Sequence, residues 1–310
     1  MKKKKIVFIT GASGFIGKNT ARYFNENGWY VVGLGLGKWT EKEFKSWGID
    51  EWHPGLITKE LLSSVKKKLN LIIHCAGGGS VGFSVKHPKE DFNMTVKSTR
   101  SVLEFMRSNC PNARLIYPSS AAVYGQKKDL PIKESDILAP VSPYGLHKKM
   151  AEELCKDYSR KYSANISIVR FFSVYGPGLQ KQLLWDASCK IYSDENKIKF
   201  FGTGLEKRDW IYISDVVELF FILAKSKNKF EIVNGGSGLG ITIKDVLAKL
   251  LAEFQKNKEI VFNNISKEGD PEFYTADIEK VKKTGWRPRI SLEDGIKKYV
   301  IKFKEYQENG

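Results

Sequence analysis

Short β-branched runs alternate with stretches of helical period over the first half of the chain. Ile6–Thr10 is a continuous apolar run of strand length, and Phe15–Asn27 follows it with helical spacing, closed by Gly28 as a C-terminal stop. Tyr30–Leu34 predicts a second strand, Leu61–Leu69 a helix, Leu71–Cys75 a strand and Phe92–Ser108 a longer helix. Arg114–Tyr117 predicts a strand that runs into Pro118-Ser119-Ser120, followed by a helix over Tyr144–Tyr162 and a strand over Ile166–Phe172. This alternation predicts an α/β fold with a doubly wound parallel sheet between two helical layers. After Gly176-Pro177-Gly178 the rhythm loosens. Lys197–Phe201, Trp210–Ile213 and Glu231–Asn234 predict short strands. Ser214–Lys225 and Ile243–Phe254 predict helices, the first started by Ser214 and Asp215. One unit is expected over 1–175, with 209–238 returning to it, and a smaller mixed α/β portion over 176–208 and 239–310.

The join between the first strand and the first helix carries Gly11-Ala12-Ser13-Gly14-Phe15-Ile16-Gly17. Glycines there permit a tight turn, close approach of a pyrophosphate and close helix–strand packing, and the helix start offers N–H donors to phosphate. The unit over 1–175 is therefore expected to be a Rossmann-type dinucleotide-binding domain, with Gly11, Ser13, Gly14, Phe15, Ile16 and Gly17 on the cofactor. A carboxylate after the second strand would mark the ribose of NAD. The chain has Gly35 at that place and Lys38 nearby, which favours NADP, with NAD as the alternative.

Composition narrows the class. Of 310 residues, 51 are Lys or Arg and 35 Asp or Glu, giving +16. The lysines are spread along the chain and accompany no nucleic-acid motif, so the positive field suits an anionic small molecule and no nucleic-acid partner is expected. No apolar run reaches membrane-spanning length. Cys75, Cys110, Cys155 and Cys189 are far apart, which suggests neither a metal site nor a disulfide scaffold and suits a reducing cytoplasm.

Tyr144 and Lys148 are four residues apart on a predicted helix, hence on one face. An ammonium beside a phenol lowers its pKa and lets it carry a proton to or from a hydroxyl or carbonyl. Ser119 and Ser120 end a strand at the carboxyl edge of the sheet, where α/β sites form. Each feature alone is commonplace; their order along the chain is what points to one site.

Together these residues resemble the extended short-chain dehydrogenase/reductase family, in its nucleotide-sugar epimerase, dehydratase and reductase branch. The matching stretches are Thr10–Gly17, Ser119-Ser120-Ala121-Ala122-Val123-Tyr124-Gly125, Ser142–Lys148, Arg170–Gly178 and Arg208–Asp215. The resemblance implies Tyr144 as acid/base, Lys148 as the residue tuning it and holding the cofactor ribose, and Ser120 as the catalytic hydroxyl, with Ser119 lining the site. It implies Ala76 and Gly77 against the cofactor, and Ser173, Arg208 and Lys267 toward a nucleotide-diphosphate sugar, with the segment Leu179–Lys190 reading base and sugar. His74 is expected to be a packed strand residue. A homodimer through the helices Phe92–Ser108 and Tyr144–Tyr162 is also implied, with Val96, Leu103 and Leu154 either at the contact or in the core. Departures from the pattern are Ala121-Ala122 where dehydratases carry Asp-Glu, Ser173 and Thr95 where Asn is usual, Lys267 for Arg and Leu56 for an adenine-recognising acid.

Three functions follow as expectations. The first is an NADPH-dependent 4-ketoreductase of nucleotide-linked 6-deoxy 4-keto sugars. The second is an NAD-dependent nucleotide-sugar 4-epimerase, which the segment Ser119–Gly125 favours. The third, a non-catalytic regulator on the same fold, is opposed by the intact Ser120, Tyr144 and Lys148.

Overall fold

The structure is a computed structural model and describes residues 4–127, 130–265 and 272–309. The strands are β1 (Ile6–Thr10), β2 (Tyr30–Gly35), β3 (Glu51–Pro54), β4 (Leu71–His74), β5 (Arg114–Ser120), β6 (Asn165–Phe171), β7 (Ser173–Tyr175), β8 (Lys197–Phe200), β9 (Lys207–Tyr212), β10 (Phe230–Gly235), β11 (Gly240–Thr242) and β12 (Glu259–Phe262). The helices are α1 (Phe15–Glu26), α2 (Glu41–Ser46), α3 (Lys59–Ser64), α4 (Val81–Lys86), α5 (Pro88–Phe92), α6 (Ser98–Asn109), α7 (Pro143–Tyr162), α8 (Gln182–Tyr192), α9 (Ile213–Leu223), α10 (Ile243–Phe254), α11 (Glu279–Lys282) and α12 (Leu292–Asn309).

Seven strands pair in parallel in the order β10-β6-β5-β4-β1-β2-β3. The order reverses beside β1, so the ends of β1 and β4 diverge into a crevice, the usual place for a ligand in such a sheet. The central strands are buried on both faces and read as unbroken apolar runs: Val7, Phe8 and Ile9 have no exposed surface, nor do Ile72 and Ile73. One core lies on each side of the sheet. Val7, Ile9 and Ile73 belong to one; Phe8, Val32 and Ile72 belong to the other. A three-stranded sheet β11-β9-β7 and a pair β12-β8 stand outside the large sheet.

The predicted elements shift in instructive ways. β3 was not predicted. It is a short edge strand, Glu51-Trp52-His53-Pro54, without alternation and with proline at its end, where no partner strand needs its N–H. The expected helix Leu61–Leu69 lasts only from Lys59 to Ser64; Val65 and Leu69 are buried without continuing it. The expected helix Phe92–Ser108 is broken into α5, a π turn over Asn93–Lys97, and α6. The extra residue of a π turn re-aims side chains, and Thr95 within it accepts a hydrogen bond from Gly78 N at 3.0 Å. Asp215 does not cap α9. Its buried carboxylate accepts the N–H groups of Arg289 and Ile290, tying the last quarter of the chain to the core. Val96 and Leu103 belong to the buried interior, and half-buried Leu154 packs against it. Among the described residues no helix is long and apolar enough to cross a membrane.

Candidate active site

The glycine loop is shaped by contacts that exclude side chains. Gly11 has φ +65°, and a β-carbon there would lie 2.6 Å from Ala76 N. One on Gly17 would lie 2.1 Å from Gly11 O. Gly14 precedes α1 and supplies no side-chain cap, so the first-turn N–H groups of α1 stay open at the cleft. This cradle of backbone donors, sealed to any β-carbon, fits a dinucleotide pyrophosphate. Ser13, Gly14, Phe15, Ile16, Gly35, Ala76 and Gly77 line the same cleft.

The cofactor-selecting expectation changes. Gly35 is glycine for a packing reason: a β-carbon would meet Ser13 Oγ at 2.7 Å and Trp52 at 2.9 Å. Ser13 Oγ is itself fixed by donating to Leu36 O at 2.7 Å. Lys38 is exposed and is not among the residues that line the cleft.

The cleft has a volume of about 2040 Å³. Single-ligand pockets span roughly 300–1,000 Å³, so this one has room for a dinucleotide and a second large ligand. Its far wall carries Ser120, Ala122, Tyr144, Lys148, Ser173 and Arg208. α7 starts at Ser142, whose hydroxyl accepts Gly145 N, with Pro143 at the first helical position. Tyr144 N donates to Ser84 Oγ of α4 at 3.0 Å, which fixes the half-buried tyrosine at the helix start.

Ser120 ends β5, accepts Ala122 N at 3.2 Å and shares a side-chain hydrogen bond with Tyr144. The Lys148 ammonium donates to Pro118 O at 3.0 Å and lies 5.0 Å from the Tyr117 ring centre and 5.9 Å from that of Tyr144. Burial draws its pKa down to about 8, against the opposing pull of Asp91. Tyr144 departs from expectation. Burial raises its pKa, the Ser120 hydrogen bond lowers it, and the Asp91 charge raises it. The protein alone thus keeps the phenol protonated, and the ammonium one turn away does not reverse this.

Ser119 lines the cleft as expected, but its hydroxyl turns inward and donates to Glu152 Oε1 at 2.5 Å, away from a substrate. Glu152 in turn takes the Arg170 guanidinium at 2.7–3.1 Å, and Arg170 reaches the Tyr124 hydroxyl at 3.0 Å. This buried network clamps the end of β5, and with it Ser120. His74 is fully buried, touching Thr10 Oγ1 at 2.7 Å and Thr99 Oγ1 at 3.1 Å, and burial holds its pKa near 3. It is a packed neutral residue, as expected.

Arg208 lies on β9 at the cleft mouth, its guanidinium donating to Lys207 O at 3.0 Å. Its neighbour Asp209 is buried and accepts Ser237 N, Gly238 N and Ala276 N at 2.6–3.0 Å, which fixes the strand under the arginine. Lys267 lies outside the described residues. Within the segment Leu179–Lys190, residues Leu179, Lys181, Gln182, Leu183, Asp186 and Lys190 line the cleft. Missed in the sequence were Ser84 and a buried pair, Asp91 and His147, behind the wall that carries Tyr144. His147 stood in plain view inside Tyr144–Lys148; its partner, 56 residues earlier, did not.

Comparison with known proteins agrees with this geometry. A putative UDP-glucose 4-epimerase of Methanocaldococcus jannaschii is 30% identical over 300 residues, covering 95% of this chain and 97% of that one. A UDP-glucuronate 4-epimerase of Thermodesulfobacterium geofontis is 28% identical over 314 residues, covering 96% and 95%. The solved UDP-glucuronic acid 4-epimerase of Bacillus cereus, in complex with UDP-glucuronic acid and NAD, superposes with a TM-score of 0.88 at 25% identity, covering 97% of this chain and 99% of that one. Residues 7–236, from β1 through the last strand of the seven-stranded sheet, match the family described as the NAD dependent epimerase/dehydratase family, and to that enzyme family the chain belongs.

Proposed function

We propose that the protein is an NAD-dependent nucleotide-sugar 4-epimerase acting on a UDP-linked hexose or hexuronate. The observation that carries this reading is one proton carrier, Tyr144, set beside the Ser120 hydroxyl. Ser120, Tyr144 and Lys148 converge, while Ala121 and Ala122 follow Ser120 with no acid or base of their own. Oxidising a C4 hydroxyl and reversing it needs one proton carrier; eliminating water needs further acid and base groups. Relatives named for 4-epimerisation of UDP sugars favour the epimerase over NADP-linked ketoreduction.

Hydride acceptance and return is the chemistry the dinucleotide supplies on the glycine cradle. The protein alone favours the neutral phenol, so it is the small phenolate fraction of Tyr144, stabilised by the Lys148 ammonium, that takes the proton of the C4 hydroxyl and later returns it, while Ser120 orients that oxygen. Arg208 offers a guanidinium to the substrate diphosphate. A homodimer fits the exposed Leu146 and Met150, one turn apart on α7, and four free thiols fit a cytoplasmic setting.

The test is to incubate the purified protein, without added cofactor, with UDP-glucose and with UDP-glucuronate and follow inversion at C4 by proton NMR. Inversion together with released NAD after denaturation is expected. Consumption of NADPH on a 4-keto sugar nucleotide without any inversion would overturn the reading.

A further inference from the structure

Asp91 on α5 has no exposed surface, yet no hydrogen bond reaches its Oδ1 among the described residues. Its Oδ2 lies 2.6 Å from His147 Nδ1. A carboxylate only accepts, so Nδ1 carries the proton of that contact. His147 is buried on α7, three residues after Tyr144 and next to Lys148, with the Phe92 ring edge-on at 5.5 Å. The chain makes room for the carboxylate at one position: a β-carbon on Gly78 would fall 1.8 Å from Asp91 Oδ1. A β-carbon on the preceding Gly77 would fall 3.8 Å from Lys148 Nζ. The carboxylate and the ammonium therefore flank two successive glycines of the cleft wall. A half-satisfied buried carboxylate is costly unless an opposite charge compensates it.

We propose that Asp91 and His147 form a buried positioning pair that holds Lys148 as an ammonium beside Tyr144. The groups facing Lys148 are few. On its own helix are Tyr144, Glu152 and Cys155; from β4 and the turn after it come His74 and Cys75; from β5 comes Tyr117; from α5 comes Asp91. His74 and Cys75 are held neutral by burial, the thiol pushed up to about 12. Glu152 is already committed to Arg170 and Ser119. Asp91 is therefore the carboxylate with capacity left for the ammonium, and it opposes the burial that would otherwise discharge Lys148. His147 keeps it there by filling Oδ2 and leaving Oδ1 toward the glycines. The same negative charge disfavours the Tyr144 phenolate, so the pair sets both members of the proton carrier, one charged and one neutral.

The inference rests on Tyr144 and Lys148 as the proton carrier, and its test is read without turnover. Competitive trace acetylation of the full chain against pH, with Lys148 followed by peptide mass spectrometry, gives the midpoint of that amine. The wild-type midpoint is expected near 8. D91N removes the charge at constant shape and is expected to lower the midpoint by about one pH unit. H147L leaves the carboxylate without a donor and is expected to lower it in the same direction, whereas H147N, which keeps a donor near the Nδ1 position, restores it. The alkaline limb of kcat/KM moves with the midpoint. A D91N midpoint within about 0.3 unit of wild type in a protein that still melts cooperatively overturns the proposal, since a purely structural pair lowers the melting temperature and leaves Lys148 alone. Should D91N fail to melt cooperatively, D91S is read by the same criterion.

Discussion

Replacing Glu152 by Gln tests whether the network beneath Ser120 is what holds the site in register. The carboxylate is 3% exposed and receives four contacts: Arg170 Nε at 3.1 Å to both oxygens, Arg170 Nη2 at 2.7 Å, and Ser119 Oγ at 2.5 Å. Glutamine keeps the shape but loses the charge and turns an –NH2 toward the Arg170 donors. Arg170 is left with neutral acceptors alone: the glutamine oxygen, the Tyr124 hydroxyl and Glu134 O, the last two at 3.0 Å. Removing one partner of a buried pair leaves an uncompensated charge and costs about 3–5 kcal/mol. The urea midpoint of the full chain, converted with the slope of the transition, measures this. Removing both charges in E152M/R170M is expected to recover most of the loss, because neither ion is then desolvated without its partner. The E152Q protein should also lose turnover, by up to about 10²-fold, as the released Ser119 lets the end of β5 and Ser120 drift from Tyr144. A loss of stability below about 1 kcal/mol, the range of an exposed pair, would refute the reasoning.

Tyr144→Phe is expected to cut kcat by about 10²–10⁴-fold with the melting temperature unchanged, as measured by epimerisation and thermal denaturation. Gly35→Asp, which on sequence grounds would install a ribose-binding carboxylate, should instead weaken dinucleotide binding and destabilise the fold. Its β-carbon collides with Ser13 and Trp52, and calorimetric titration with NAD checks it. Activity should fall as pH rises through about 8. Burial lowers the Lys148 pKa to that value, so the ammonium is present below it and lost above it, and a pH profile of kcat/KM reads the limb.

Much of the fold was legible because its signals are local. Ile6–Thr10 and Leu71–His74 are apolar runs that only a doubly covered strand explains, and the glycine spacing at Gly11, Gly14 and Gly17 is a backbone requirement written at fixed offsets. Tyr144 and Lys148 share a face by helical arithmetic alone. What escaped depends on distant partners. Ser119 does line the site, but nothing in its neighbourhood reveals that its hydroxyl goes to Glu152, 33 residues later, with Arg170 behind it. Gly35 was read as a cofactor signal and does line the cleft, but Trp52 of an unpredicted edge strand gives a packing reason for the glycine that the sequence hides. α12 was missed although Ile296, Tyr299, Val300 and Phe303 carry its buried stripe, because the lysines between them masked the period.

The edge strand β10 pairs with β6 over six residues, yet it enters the sheet only after the chain has built β7, α8, β8 and β9 outside it. α9, which leads into β10, packs on α1, and Trp286, near the far end, donates its indole N–H to Asp215 O of α9. The seven-stranded sheet is thus finished by residues that follow β7, α8, β8 and β9 in the chain, and the segment around Trp286 is anchored on α9. Neither half is a separable cassette. A fragment stopping at 175 lacks an edge of its sheet and a face of its first helix, so exchanging the parts outside the large sheet would have to keep β10 and α9 with residues 1–175, as a discontinuous exchange at two junctions.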